Sequence, residues 1–317
     1  MNIIGPDALV FGVDDVAACC QYLLDYGLRG VDVNAQGGRF EALDGTHIVI
    51  KHHSDPSLPP AMGTASQLRE TVYGVADNAT LELIATELGR DREVRRDAHG
   101  RLHTVDDMGF ALAFQVTVRR PLTLAGETVN APGNPAQRPV NVIGVDPTRE
   151  ALPRTLSHVV YFVPDSAKAE AFYVKRLGFV CTDRFTGVGP FLRPAGTNDH
   201  HTLFMIQTPP QMKGVEHFTF HMGGPTEVML AGTRFVEKGY QSFWGPGRHR
   251  FGSNWFWYFN SPLGCHVEYD ADMDQHDQRW SAREAPMSAD ASQLFLFQHR
   301  AKWAPGGPPP PGAPGKH

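Results

Sequence analysis

Hydrophobic and polar positions along the chain fall into a strand–helix alternation that occurs twice. Ala8–Val13 (ALVFGV) is a continuous apolar run, as a strand buried on both faces gives. Asp14–Asp15 then offers an N-cap, and a helical spacing of apolar residues follows to Leu24, closed by Tyr26-Gly27. Arg39–Leu43 and Thr46–Lys51 read as two strands turned by Asp44-Gly45. Leu68–Val75 predicts a strand and Ala79–Leu88 a helix with apolar residues at helical spacing. His103–Asp106 and Gly109–Val118 predict two more strands.

The same order returns further on. Ser157–Val163 matches Ala8–Val13, and Pro164-Asp165 stands where Asp14–Asp15 stood. A helix over Ala167–Arg176 ends at Leu177-Gly178. Phe191–Arg193, His201–Gln207 and Val215–Met222 are strand-like, Glu227–Lys238 is helical, and Trp255–Asn260 with Cys265–Tyr269 form a last hairpin. An internal repeat of this length predicts an α+β fold of two domains, over residues 1–120 and 154–275. Two helices per half suggest two βαβββ modules in each, with sheets curled around a central cavity. Residues 121–153 read as a linker, since Leu122–Pro153 holds five prolines and no periodic segment. Residues 276–317 form a tail whose Pro/Gly-rich end, APGGPPPPGAPGKH, predicts disorder.

Composition narrows the function. Of 317 residues, 41% are hydrophobic and 20% charged, an ordinary globular balance, and the net charge of −5 comes with no basic run. A nucleic-acid partner is therefore not expected. No apolar run reaches the roughly 18 residues of a membrane span, and no secretory signal is evident, so a membrane partner is not expected either. Four irregularly spaced cysteines without a CxxC fit a reducing cytoplasm. A homo-oligomer is expected.

One residue in the last hairpin needs a reason. Glu268 sits inside the apolar strand Cys265–Tyr269, where an unpaired carboxylate costs several kcal/mol or takes up a proton. A cation or a metal supplies that reason. Strand-like segments upstream carry His158, His201, His217 and His249. A single histidine in a strand is ordinarily a packed or surface residue. His158, His217 and Glu268, however, lie at matching strand positions of the second half, where the first half has Ala8, Thr71 and Ala113. Two histidines and one carboxylate with open positions are a usual ligand set for non-haem Fe(II). His47, His52, His53, His99 and His103 fit hairpin, loop and surface positions instead.

The second half resembles the vicinal oxygen chelate (glyoxalase/bleomycin resistance) superfamily, and within it the type I extradiol, meta-cleaving ring dioxygenases. The matching segments are LSHVVYFVPD, DHHTLFMI, GVEHFTFHM and GRHRFGSNWFWYFNSPLGCHVEY. The last run is similar to the family signature through Gly247, His249, Tyr258, Pro262, Gly264 and Glu268. It departs at Trp257, which is expected to alter the pocket wall, and at Ser261. The resemblance implies His158, His217 and Glu268 as metal ligands and Fe(II), with Mn(II) as the other choice, as the metal. It implies His201 as the acid/base residue, with His200 as the fallback, and places His249 and Tyr258 either just behind the metal ligands or at the substrate oxygens. No organic cofactor is implied. The partners would be a small aromatic diol, biaryl and trihydroxylated catechols included, and dioxygen. Phe220, Trp255 and Phe259 are expected to wall the pocket, and loops such as Thr182–Asp199 with the stretch Trp280–Phe297 to read ring substituents. The alternatives on the same frame are a glyoxalase-like lyase or isomerase without dioxygen, and a ligand-sequestering protein.

Overall fold

The computed structural model describes residues 1–146 and 148–299. Its first half comprises β1 (Ile3–Val13), α1 (Val16–Tyr26), β2 (Arg29–Asn34), β3 (Gly37–Glu41), β4 (His47–His52), β5 (Leu68–Val75), α2 (Asn78–Leu88), β6 (Arg95–Arg96), β7 (Leu102–Val105) and β8 (Ala111–Val116). Its second half comprises β9 (Thr155–Val163), α3 (Ser166–Leu177), β10 (Phe179–Thr186), β11 (Gly189–Pro194), β12 (Leu203–Gln207), β13 (Gly214–His221), α4 (Pro225–Glu237), β14 (Ser242–His249), β15 (Trp255–Asn260) and β16 (His266–Ala271). Each half is thus a pair of βαβββ modules, as the alternation predicts. A C-terminal extension adds β17 (Arg283–Pro286), α5 (Ala289–Ser292) and β18 (Gln293–Leu296).

Helix ends follow the cap residues read from the sequence. Asp15, Asp77 and Asp165 each accept a hydrogen bond at 2.8–2.9 Å from the amide three residues on, satisfying a first-turn donor. Gly27 and Gly178 close α1 and α3 with φ of 108° and 75°, a backbone that glycine adopts without a Cβ penalty.

Two sheets result. The first runs β2-β3-β4-β1-β5-β8-β7-β6, and the second runs β17-β10-β11-β12-β9-β13-β16-β15-β14-β18. In both, the two module-opening strands pair antiparallel at the centre, β1 with β5 and β9 with β13, and each pairs parallel with the last strand of its own module. Side chains alternate between faces, so the central four strands of the second sheet converge one face on a common cavity.

The opposite faces bury one apolar core that runs through both halves. Phe11 meets Phe218 with ring centroids 5.7 Å apart, Phe110 stacks on Tyr161 at 4.4 Å, and Tyr26 stacks on Tyr269 at 4.0 Å. Between Val116 and Thr155 no helix or strand forms among the described residues.

Several sequence expectations need correction. Thr182–Asp199 is mostly the β10–β11 hairpin rather than a loop, and β2 and β14 have no counterpart in the expected elements. Both are polar or proline-broken: Arg29–Asn34 has no buried residue, and β14 contains Gly245-Pro246-Gly247. Trp280–Phe297 is a strand–helix–strand extension in part, and the Pro/Gly-rich end lies outside the described residues.

Candidate metal centre and its cavity

The register of three strands brings the predicted ligands together. Thr219 on β13 pairs with His158 on β9 and with Glu268 on β16, and His217 lies two residues before it on the same face. His158 Nε2 is 3.3 Å from Glu268 Oε2, His217 Nε2 is 3.5 Å from the same oxygen, and the two ring nitrogens are 3.4 Å apart. All three side chains are buried, with Glu268 wholly so. Atoms with these mutual distances can all lie about 2.0–2.2 Å from a single point, the bond length of first-row ions to nitrogen and oxygen.

The outer nitrogens of both histidines are already engaged. His158 Nδ1 is 2.9 Å from Ser157 Oγ, and His217 Nδ1 is hydrogen-bonded to Glu216, whose other oxygen lies 2.8 Å from His266 Nδ1. Such contacts fix the rings with Nε2 pointing inward. Burial would raise the Glu216 carboxyl, but His217 and His266 outweigh it and hold its pKa at about 2. Burial likewise acts against the Glu268 charge, and His158 and His249 overcome it, leaving the carboxyl well below the usual range. Glu268 Oε1 nevertheless has no hydrogen-bond partner. A buried ionised carboxylate with an orphaned oxygen, faced by two inward imidazole nitrogens, is what a metal cation would complete. The donor set therefore fits a divalent first-row ion.

Next to the three residues lies a cavity of about 230 Å³. His201, His249 and Tyr258, all expected from the sequence, line it together with His158 and His217. His249 Nε2 is 3.2 Å from Tyr258 Oη and 3.5 Å from Glu268 Oε1, and Tyr258 pairs with Glu268 across β15 and β16. The His201 ring centroid is 4.3 Å from that of His158. Burial, followed by the neighbouring imidazoles, pushes His201 well below the ordinary histidine pKa. Burial, and then the Glu268 charge, keeps Tyr258 far above the ordinary phenol value. A neutral imidazole that can accept a proton and a phenol that stays protonated thus stand over one small space.

The wall of that space differs from the sequence expectation. Phe220 and Phe259 belong to the core on the far face of the sheet, and Trp255 packs against Phe295; none of the three reaches the cavity. Strand alternation is the reason: with Thr219 and Tyr258 facing the site, Phe220, Trp255 and Phe259 face away. Trp257 also faces away and lies over Gly232 of α4, where a Cβ would come within 2.1 Å of the indole. Its departure from the family signature is answered by a glycine on the helix, not by the pocket. Val160, Phe185, Phe191, Phe204 and Phe251 form the apolar wall instead. The alternating apolar positions of β9 to β12 carried that signal in the sequence.

Three contributions were not legible. Thr219 has its hydroxyl 2.9 Å from His158 Nε2 and donates to Glu268 Oε2. Tyr26 of the first half donates its hydroxyl to the Glu268 backbone carbonyl at 2.5 Å, and its own backbone carbonyl accepts from Tyr269 Oη at 2.7 Å. Ser292 presents its carbonyl 3.1 Å from His249 Nδ1, because β18 pairs with β14.

Comparison with known proteins agrees with this geometry. Residues 155–269 match the model of the Glyoxalase/Bleomycin resistance protein/Dioxygenase superfamily. Residues 155–269 therefore carry a domain of that superfamily. The chain is 33% identical over 159 residues to "Metapyrocatechase 2" of Cupriavidus necator, covering 50% of this chain and 46% of that protein. It is 32% identical over 130 residues to "Biphenyl-2,3-diol 1,2-dioxygenase" of Paraburkholderia xenovorans, covering 39% of this chain and 43% of that one. The match thus spans about half the length of these relatives. Among solved structures, a Mn(II)-bound glyoxalase from Novosphingobium aromaticivorans superposes with a TM-score of 0.72 at 18% identity, over 93% of this chain and 91% of that one. The likeness in fold thus runs through both halves of the chain.

Among the described residues no helix is long and apolar enough to cross a membrane.

Proposed function

We propose that the protein opens the ring of a catechol-type diol beside its two hydroxyls, with both atoms of dioxygen entering the product, at a non-haem Fe(II) held by His158, His217 and Glu268. The observation that carries this reading is the meeting of His158 Nε2, His217 Nε2 and the wholly buried Glu268 Oε2 within 3.5 Å of one another, beside an aromatic-walled cavity. The two curated relatives are named for diol cleavage and support the same chemistry.

The bound ion would supply Lewis acidity toward the diol oxygens and a route for electrons to dioxygen. The chain's own residues do the rest. His201, neutral and facing the cavity, takes a proton from a substrate hydroxyl and can return it later in the reaction. Tyr258 keeps its proton and donates to a substrate oxygen as negative charge develops there, and His249 offers a second contact beside it. Phe191, Phe204 and Phe251 hold the ring and keep water out, which strengthens those hydrogen bonds.

The test is to load purified protein with Fe(II) under anaerobic conditions, add simple, biaryl and trihydroxylated catechols in turn, and admit oxygen. Oxygen uptake with a yellow ring-fission product is expected, and iron should be retained more tightly for turnover than Mn(II). Absence of both signals across the panel, with metal bound, would overturn the proposal. Substrate turnover without oxygen uptake would point to the glyoxalase-like alternative.

A further inference from the structure

Asp183, His200 and His201 form a row of hydrogen bonds leading away from the cavity. Asp183 lies on β10, and the two histidines stand just before β12; all three are buried. Asp183 Oδ2 is 2.8 Å from His200 Nε2, and His200 Nδ1 is 2.9 Å from His201 Nδ1. The C-terminal extension closes the far end. Arg283 on β17 donates to Asp183 Oδ1 from its backbone nitrogen at 2.8 Å and from Nε at 3.1 Å, and to Oδ2 from its guanidinium at 2.6 Å. Thr182 donates to the His200 carbonyl, and Trp280, stacked on His276, donates to the Thr182 carbonyl.

The protons along this row can be placed one by one. Burial would raise the Asp183 carboxyl, but the bonds from His200 and Arg283 outweigh it, so it is an ionised acceptor. His200 Nε2 must therefore carry a hydrogen. Burial lowers the His200 pKa, so its ring is neutral and Nδ1 holds a lone pair. A nitrogen–nitrogen contact of 2.9 Å then needs its hydrogen on His201 Nδ1. The remaining nitrogen of His201, Nε2, is left unprotonated on a ring that lines the cavity.

We infer that Asp183 and His200 are positioning residues that lock His201 in its Nδ1–H tautomer, so that Nε2 is the base offered to the substrate. The catalytic meaning of this lock rests on the proposed ring opening; the tautomer itself does not. When a substrate O–H bond gives its proton to Nε2, the new positive charge on His201 is met through Nδ1–H and His200 by the Asp183 carboxylate. Holding that carboxylate one ring away sets the tautomer without keeping His201 permanently protonated. The same logic of a carboxylate fixing an imidazole tautomer operates in hydrolytic triads.

The experiment is nitrogen-15 NMR of histidine-labelled, Zn(II)-loaded protein, with the His201 signals assigned from the H201Q variant. Wild type should show His201 protonated at Nδ1. In D183N the anionic acceptor is gone, and Arg283 donors face both places the amide can offer, so the hold on the His200 Nε2 hydrogen weakens. His201 should then lose its preference for Nδ1–H, and kcat of the Fe(II) enzyme should fall about 100-fold with KM nearly unchanged. H200L should lose the tautomer preference, while H200N, which offers an oxygen near the Nδ1 place, should restore part of it. His201 protonated at Nε2 in wild type, or D183N and H200L that keep the wild-type tautomer and kcat, would overturn the inference. Should D183N fail to fold, the wild-type spectrum and the His200 pair decide. If wild type opens no catechol, the proposed function fails while the tautomer assignment is still read.

Discussion

Val72 and Thr219 hold the same place in the two halves. Val72 pairs with Ala8 and Ala113; Thr219 pairs with His158 and Glu268. Where the second half has His158, His217 and Glu268, the first has a small apolar cluster of Ala8, Val10, Val72 and Ala113. Two residues earlier, the counterpart of His217 is Glu70, not Thr71, and it is tied to His103 at 2.8 Å. One frame thus carries a polar site in one copy and an apolar plug in the other, and Thr219 belongs to the polar set. T219V, nearly unchanged in shape, should keep the fold but remove the hydroxyl that donates to Glu268. Metal affinity should weaken about 10–100-fold, measured by chelator competition. Unchanged affinity would mean that the hydroxyl has no part in holding the ligands.

Removal of a ligand should act more strongly. E268Q keeps the volume and loses the charge that faces His158 and His217. Stoichiometric iron should be lost by metal analysis and ring cleavage abolished, while far-UV circular dichroism stays that of wild type. A variant that retains a full equivalent of iron would remove Glu268 from the ligand set.

The frame of this site was readable from the sequence because caps and alternation act locally. Asp15 and Asp165 announced their helices, and Glu268 announced itself as a carboxylate in an apolar strand. What could not be read depends on register. Glu70 and Thr71 are neighbours in sequence but face opposite sides of β5, and only the pairing with β1 tells which one matches His217. The wrong aromatic wall has the same origin, since Phe220 and Thr219 exchange faces with one residue of shift. Tyr26 and Ser292, each far from Glu268 or His249 in the chain, leave no local trace at all.

His221 and Asp270 offer a pH test away from the ligands. His221 Nδ1 is 2.6 Å from Asp270 Oδ1. Burial alone would lower the His221 pKa, but Asp270 and Asp199 outweigh it and raise it from 6.5 to about 10. A folded pKa above the unfolded one means the pair's contribution is complete below about pH 6.5 and is lost as pH rises through 10. H221Q should therefore be less stable than wild type in urea at pH 6, with the gap narrowing steadily toward pH 10. A gap that stays constant over this range would show that His221 does not hold its proton in the folded state.

The cavity should also discriminate by charge. Its wall is Val160, Phe185, Phe191, Phe204, Ile206 and Phe251, with Glu216 as its acidic member and no Lys or Arg among the described lining residues. A carboxylate on the ring would lose water, meet no Lys or Arg and approach the ionised Glu216. Alkyl- or aryl-substituted catechols should therefore show kcat/KM about 100-fold or more above carboxymethyl-substituted ones, a difference of about 2.7 kcal/mol or more in transition-state binding. Equal values would mean that the substituent lies outside this wall.

The C-terminal extension should matter more for activity than for stability. Its β18 presents Leu294, Phe295 and Leu296 largely to solvent, so little apolar burial is lost when it is removed. Yet it pairs with β14 at His249, and Ser292 gives its carbonyl to His249 Nδ1. Met287 also lines the cavity. A chain ending at Met287 keeps that side chain, β17 and the Arg283 contacts with Asp183, so it separates the hold on His249 from all three. Without that hold the imidazole can turn away from Tyr258 and Glu268. The truncated protein should melt within a few degrees of wild type and retain its metal, while kcat falls about 10-fold or more. Full activity in the truncated chain would show that β14 alone orients His249.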